Sequence, residues 1–199
     1  GGKKLMFYCV CLRIVQFFML FMFRIRSVGK SNVPKTGGAI LAINHKSAFD
    51  PIVVGITAPR HIFCMAKAEL FENKLLGALI RKLGAFPVHR GSGDVSAFKT
   101  AFKILDDGGM MLIFPEGRRV KKGDKRRAKT GVVMIAQKKN VPVIPVYIDG
   151  DYKWMHKITV TYGEPVSFDE YKEKKLSAEE VQALADGVLD KIYSLAQGV

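Results

Sequence analysis

Cysteine is scarce, with only Cys9, Cys11 and Cys64 in 199 residues. An odd, unpatterned set of three excludes a disulfide framework and fits a reducing compartment. No Cys/His spacing resembles a zinc site, so no metal is expected. Cys64, inside His-Ile-Phe-Cys-Met-Ala, reads as a small core residue of a strand rather than a nucleophile. Acid is absent from residues 1–49, which carry eight Lys or Arg, and nearly absent from 118–139, which carry ten against Asp124 alone. These two blocks account for the net charge of +14, since residues 50–117 are almost balanced and 140–199 are net acidic. Segregated charge of one sign points to anionic partners met at particular places: nucleic acid, anionic lipid, phosphorylated small molecules or an acidic carrier protein. Internal repeats and linker-like stretches are also missing, so the length suits a single domain. An apolar fraction of 48% excludes disorder as the main state.

One long apolar run is present. Leu5 to Phe23 is apolar apart from Arg13 and Gln16, and is rich in Phe. As a helix it would reach about 28 Å, near the thickness of a bilayer's hydrocarbon core. Arg13 sits mid-segment, where a charge costs about 3 kcal/mol on insertion scales. Lys3, Lys4, Arg24 and Arg26 flank the run, and Arg13, Gln16 and Arg24 fall near one face, leaving a wide aromatic face. That pattern is expected of a membrane-associating helix over residues 1–24 lying in the lipid interface. A full span and a core helix are the competing readings, and the lack of a small-residue cleavage site argues against a signal peptide.

The remainder, residues 25–199, alternates strand-like runs with helical stretches. Strands are expected at Ala39–Ile43, His61–Met65, Ala85–Val88, Met110–Phe114, Val143–Ile148 and Ile158–Tyr162. Helices are expected at Pro51–Thr57, Lys74–Leu83, Ser92–Asp106 and Gly131–Lys139, with a terminal helix opened by the capping box Ser177–Glu180 and running to about Ala196. The fold class is therefore α/β: a single domain with a central, mostly parallel or mixed sheet flanked by helices.

The chemistry-bearing constellation is Asn44-His45-Lys46-Ser47-Ala48-Phe49-Asp50, which follows an apolar strand and runs into a helix at Pro51. An Asp five residues after a His can accept from one ring nitrogen and leave the other free to take a proton. The same Asp before Pro is also a good helix N-cap, and the His an ordinary loop residue.

The Asn-His…Asp set resembles the first motif of the glycerolipid acyltransferases, the family of the lysophosphatidic acid acyltransferases. Three further blocks occur in that family's order. Ala66–Phe71 leads to Gly84-Ala85-Phe86-Pro87-Val88-His89-Arg90, Phe114-Pro115-Glu116-Gly117-Arg118-Arg119 resembles the Phe-Pro-Glu-Gly-Thr-Arg block, and Val141–Val146 resembles the proline-rich fourth block. Together they cover about residues 25–165, and Arg118 stands where the family usually has Thr.

The resemblance implies transfer of a fatty acyl group from a thioester to the free hydroxyl of 1-acylglycerol 3-phosphate, giving phosphatidic acid. The alternatives are the same chemistry on glycerol 3-phosphate or another lysophospholipid, and a non-catalytic anionic-lipid binder. It implies His45 as general base and Asp50 as its orienter, with no acyl-enzyme. It further implies Lys67, Arg90, Arg119 and Lys129 around the acceptor phosphate, and Asn44, Glu116 and Gly117 positioning substrate. No cofactor is implied; an acyl carrier protein or coenzyme A thioester is co-substrate. The expected partners are a lipid bilayer, a lysophospholipid and the acyl carrier, with nucleic acid excluded. The expected location is the cytoplasmic face of a bacterial inner membrane. The basic run Arg118–Lys129 is read as a loop beside the site, and Trp154, with Tyr152 and Met155, as core packing in preference to an interfacial contact.

Overall fold

A computed structural model describes residues 10, 17–89, 94–120 and 127–198. Seven strands form one sheet: β1 Arg24–Val28, β2 Ala39–Ile43, β3 Ile62–Lys67, β4 Ala85–Val88, β5 Met110–Ile113, β6 Val143–Asp149 and β7 Lys157–Tyr162. Their spatial order is β1-β7-β6-β2-β5-β3-β4. All pairings are parallel except that between β6 and β7, so β1 and β7 run against the other five.

β2 lies between β6 and β5, and all five of its residues are buried, as an unbroken apolar run demands of a strand covered on both faces. Its alternate residues divide the core. Ile40 and Ala42 face a layer formed by α3 (Val95–Asp106), α4 (Gly131–Lys139) and α5 (Ala178–Ser194). Ala39, Leu41 and Ile43 face α1 (Asp50–Thr57) and the N-terminal segment. The short α2 (Lys74–Lys82) runs between β3 and β4. The capping box that opens α5 forms as expected: the Ser177 hydroxyl accepts from Glu180 N, and Ser177 N donates to the Glu180 carboxylate.

Three differences from the sequence reading have local causes. Helix α3 starts at Val95 rather than Ser92, because Asp94 is its N-cap and accepts from Ser96 N and Ala97 N. β1 was not foreseen, because Arg24 and Arg26 on its exposed face read as cations flanking a membrane helix. The N-terminal helix accordingly stops at residue 22, and Arg24 opens β1.

Residues 17–22 are helical and two-faced. Met19, and Phe23 just past the helix end, are buried against the sheet, whereas Phe17, Phe18, Leu20 and Phe21 are exposed. The core-helix reading thus holds for one side of this segment and the interfacial reading suits the other. Among the described residues no helix is long and apolar enough to cross a membrane. Residues 1–9 and 11–16, which include Cys9, Cys11 and Arg13, lie outside the described set.

Candidate active site

Strand β2 ends at Ile43, and the next two residues begin the site. Asn44 is buried and spans to β6: its Nδ2 donates to Ile148 O (3.1 Å) and its Oδ1 accepts from Ile148 N (2.7 Å). The side chain thereby continues the β2–β6 pairing where the backbone leaves the sheet. Its part in the site is to fix where His45 emerges.

The His45 ring lies 3.9 Å from that of Phe114, centroid to centroid and nearly parallel, and its Nδ1 is 2.9 Å from Asp50 Oδ2. Asp50 has no exposed side-chain surface. Its Oδ2 also accepts from Lys46 N (2.8 Å) and Ser47 N (2.7 Å), and its Oδ1 from the Tyr152 hydroxyl (2.7 Å). These bonds decide between the two readings of Asp50. Its side chain turns back into the loop and onto His45, not onto the first amides of α1, for which no side-chain cap is formed. A carboxylate only accepts, so Nδ1 carries the proton and Nε2 is left as the basic nitrogen. Burial and the neighbouring Asp50 charge both push the Tyr152 phenol far up, which keeps it a donor across the working pH range.

Glu116, also buried, accepts from His45 N (2.7 Å) through Oε2 and from the Tyr193 hydroxyl through Oε1. Val120 N donates to His45 O at 2.9 Å, so residues 116–120 are stitched to both sides of the His45 backbone. The Phe-Pro-Glu-Gly block therefore acts here as a brace for the histidine. Gly117 has φ +66°, and a Cβ on it would stand 3.0 Å from Lys129 Cγ. The exposed Lys129 stem crosses this glycine, and Lys129 N donates to Pro115 O at 2.6 Å. Gly117→Ala is expected to cost about 1–2 kcal/mol, chiefly from the left-handed backbone. A urea midpoint unchanged from wild type would contradict this.

Among the described residues, Lys67 and Arg119 are placed at the same end of the sheet. Lys67 ends β3 beside Val88 of β4 and makes an exposed ion pair with Glu69 at 3.0 Å. Arg119 is exposed within the segment that braces His45. Arg90 and residues 121–126 of the basic run lie outside the described set. The Asp94 carboxylate accepts from His89 N at 2.9 Å as well as capping α3. Those donors, led by His89 N, hold the Asp94 carboxyl down to about 2.

Beyond Phe114 lies a cavity of about 110 Å³, lined mainly by apolar groups that include Met65, Val88, Phe98, Ile113 and Ile135. The parallel strands β2 to β5 thus end in a polar rim around His45 with an apolar recess beside it, as crevices at the carboxyl ends of such strands commonly do. Cys64 packs against the core, and burial pushes its thiol up to about 11, which disfavours the thiolate at neutral pH. Among the described residues no group of His, Cys, Asp or Glu is arranged to hold a metal ion.

Tyr152 and Tyr193 are site residues that local patterning does not single out. Tyr152 lies 102 positions from Asp50 and Tyr193 lies 77 from Glu116, so only the sheet order brings them in. Tyr152→Phe is expected to lower kcat about three- to tenfold with KM little changed, because a charge-assisted bond that positions Asp50 is lost. A raised KM at unchanged kcat would place Tyr152 on the substrate instead.

Four likenesses to known proteins bear on this site. The family model described as Acyltransferase matches residues 24–149, which span β1 to β6 and every site residue except Tyr152 and Tyr193. A Bacillus subtilis 1-acyl-sn-glycerol-3-phosphate acyltransferase is 29% identical over 94% of this chain and 96% of its own length. A Streptococcus pneumoniae protein of the same name is 30% identical over 78% of this chain, which spans 60% of that relative. The fold matches the crystal structure of a 1-acyl-sn-glycerophosphate acyltransferase from Thermotoga maritima with TM-score 0.73, at 24% identity, over 99% of this chain and 87% of that one.

Proposed function

The chain belongs to the acyltransferase family, and from that premise we propose that it transfers a fatty acyl group from a thioester to the free hydroxyl of 1-acylglycerol 3-phosphate. The observation that carries the proposal is the His45–Asp50 pair, held at 2.9 Å by a carboxylate whose other bonds all fix its orientation. The names of the Bacillus subtilis and Streptococcus pneumoniae relatives support the choice of acceptor.

In this mechanism His45 Nε2 takes the proton from the acceptor hydroxyl as its oxygen attacks the thioester carbonyl. The new C–O bond forms, the tetrahedral intermediate collapses, and the C–S bond breaks. The imidazolium, stabilised by Asp50, returns the proton to the departing thiolate. That return is undemanding, because thiols are far more acidic than alcohols. Base catalysis of this kind contributes about 10²–10⁴-fold, and the rest comes from holding two substrates together. The apolar recess beyond Phe114 suits the acyl chain, and Arg90, Arg119, Lys67 and Lys129 suit the acceptor phosphate. The exposed aromatic face of residues 17–21 suits a lipid surface, from which an amphipathic acceptor would be drawn.

The test is a panel of acceptors assayed with acyl carrier protein and coenzyme A thioesters. Preferred turnover of 1-acylglycerol 3-phosphate is expected. Preference for glycerol 3-phosphate or for an uncharged alcohol would move the reading to another acceptor, a question Arg118 makes pertinent.

A further inference from the structure

The loop between β6 and β7 is fastened to the N-terminal helix and presents large apolar groups to solvent. Met155 N donates to Met22 O at 2.8 Å, and Arg24 N donates to His156 O at 3.0 Å. Trp154 and Phe21 meet edge to face at 5.3 Å, yet each remains 60% exposed, and Met155 is 44% exposed. Met155 is held with φ +59°, a conformation that disfavours side chains other than glycine, so the loop is tightly shaped where it displays them. Trp154 is therefore not core packing, which was the preferred reading of it from the sequence.

Phe17, Phe18, Leu20 and Phe21 from one segment and Trp154 and Met155 from another, more than a hundred residues away, form one exposed apolar surface. Scattered exposed apolar residues need no explanation, but a continuous aromatic patch does. The flanking charge favours an anionic occupant. Arg24, Arg26, Lys153 and Lys157 are exposed beside it, against Asp149 and Asp151, the latter 3.8 Å from the Lys153 ammonium. The patch also continues inward. Phe23 packs edge-on against Tyr152 (5.6 Å), Tyr152 against Phe49 (5.6 Å), and Tyr152 ends on Asp50.

We propose that Trp154 and Met155 of the β6–β7 loop, beside Phe21, form a second contact with an anionic lipid bilayer, continuous with the N-terminal helix. The contact rests on the reading of the protein as an enzyme that takes its acceptor from a membrane. The indole suits the position, with an apolar body for the acyl boundary and an N–H for the headgroups. Seated so, the inner end of the patch brings the bilayer surface next to the Asp50–His45 pair.

Trp154 is the single tryptophan of the chain, so intrinsic fluorescence reports on this loop alone. With mixed phosphatidylglycerol–phosphatidylcholine vesicles, the emission is expected to shift to the blue and to be quenched when the lipids carry brominated acyl chains. Trp154→Ala is expected to weaken co-sedimentation with those vesicles about tenfold, as partial burial of one large ring implies. Co-sedimentation with neither shift nor quenching would overturn the loop contact and leave a membrane-bound enzyme standing. Failure to sediment with vesicles at all would overturn both. A blue shift that grows with protein concentration, without bromolipid quenching, would show a second copy covering the patch and would also overturn the proposal.

Discussion

Replacing His45 with alanine is expected to lower acyl transfer by about 10²–10⁴-fold while leaving the fold intact. Activity falls because no other described group offers a basic nitrogen held by a buried carboxylate at the end of β2. The fold survives because Asp50 keeps Lys46 N, Ser47 N and the Tyr152 hydroxyl, and His45's backbone bonds to Glu116 and Val120 do not need the ring. Paired measurements of turnover and thermal unfolding check both halves. An inactive variant that is also unfolded would show that the ring is structural, and a fully active one would remove His45 from the chemistry.

Asp50 should behave differently, and the contrast separates its two jobs. Asp50→Ala is expected to abolish turnover to a similar degree and also to destabilise the fold by about 2–4 kcal/mol. The added cost arises because loop amides and a phenol, all converging on a fully buried carboxylate, lose their acceptor together. Asp50→Asn should restore most of the stability. Its oxygen can accept from the loop amides, while its amide nitrogen donates to the Tyr152 oxygen. Activity should stay low, because the imidazolium formed during proton transfer has lost its counter-charge. Urea unfolding of both variants beside their turnover is the check. Equal stability of the alanine variant and wild type would contradict the brace role, and near-normal activity of the asparagine variant would contradict the electrostatic one.

The parts of this account that were legible in the sequence share a physical basis. Ala39–Ile43 is a short continuous apolar run bounded by Gly37-Gly38, as a strand covered on both faces requires. His45 and Asp50 are five residues apart in one loop, so their pairing needs no knowledge of the rest of the chain. Ser177 and Glu180 form their capping box within a single turn. What escaped the sequence depends on strand order. Nothing local marks Tyr152 as a partner of Asp50, or Asn44 as a bridge to Ile148, until β6 is known to lie beside β2. The resemblance implies that Glu116 positions substrate; strand order adds that its carboxylate holds a backbone amide and a tyrosine from the last helix. The N-terminal segment reads from sequence as an interfacial helix, with a core helix and a full span as competitors; in the structure Met19 and Phe23 are core, whereas Phe17, Phe18 and Phe21 are exposed. Apolar content alone cannot tell a side chain that faces protein from one that faces solvent or lipid.

The charge pattern has acquired a location as well as a sign. Lys67 ends the parallel strand β3, and Arg119 and Lys129 stand on or against the segment that braces His45. Arg24, Arg26 and Lys157 stand instead at the far edge of the sheet, where β1 pairs with β7, beside the aromatic patch. One set suits a small phosphate, the other an extended anionic surface.

The proposed reaction is direct transfer from thioester to hydroxyl with His45 as the base and no acyl-enzyme. The most direct test is to follow thiol release from an acyl thioester by the purified protein, with and without 1-acylglycerol 3-phosphate. Thiol is expected to appear only when the acceptor is present, each equivalent matched by one of phosphatidic acid. A stoichiometric burst of thiol without acceptor, leaving an acylated protein, would contradict it.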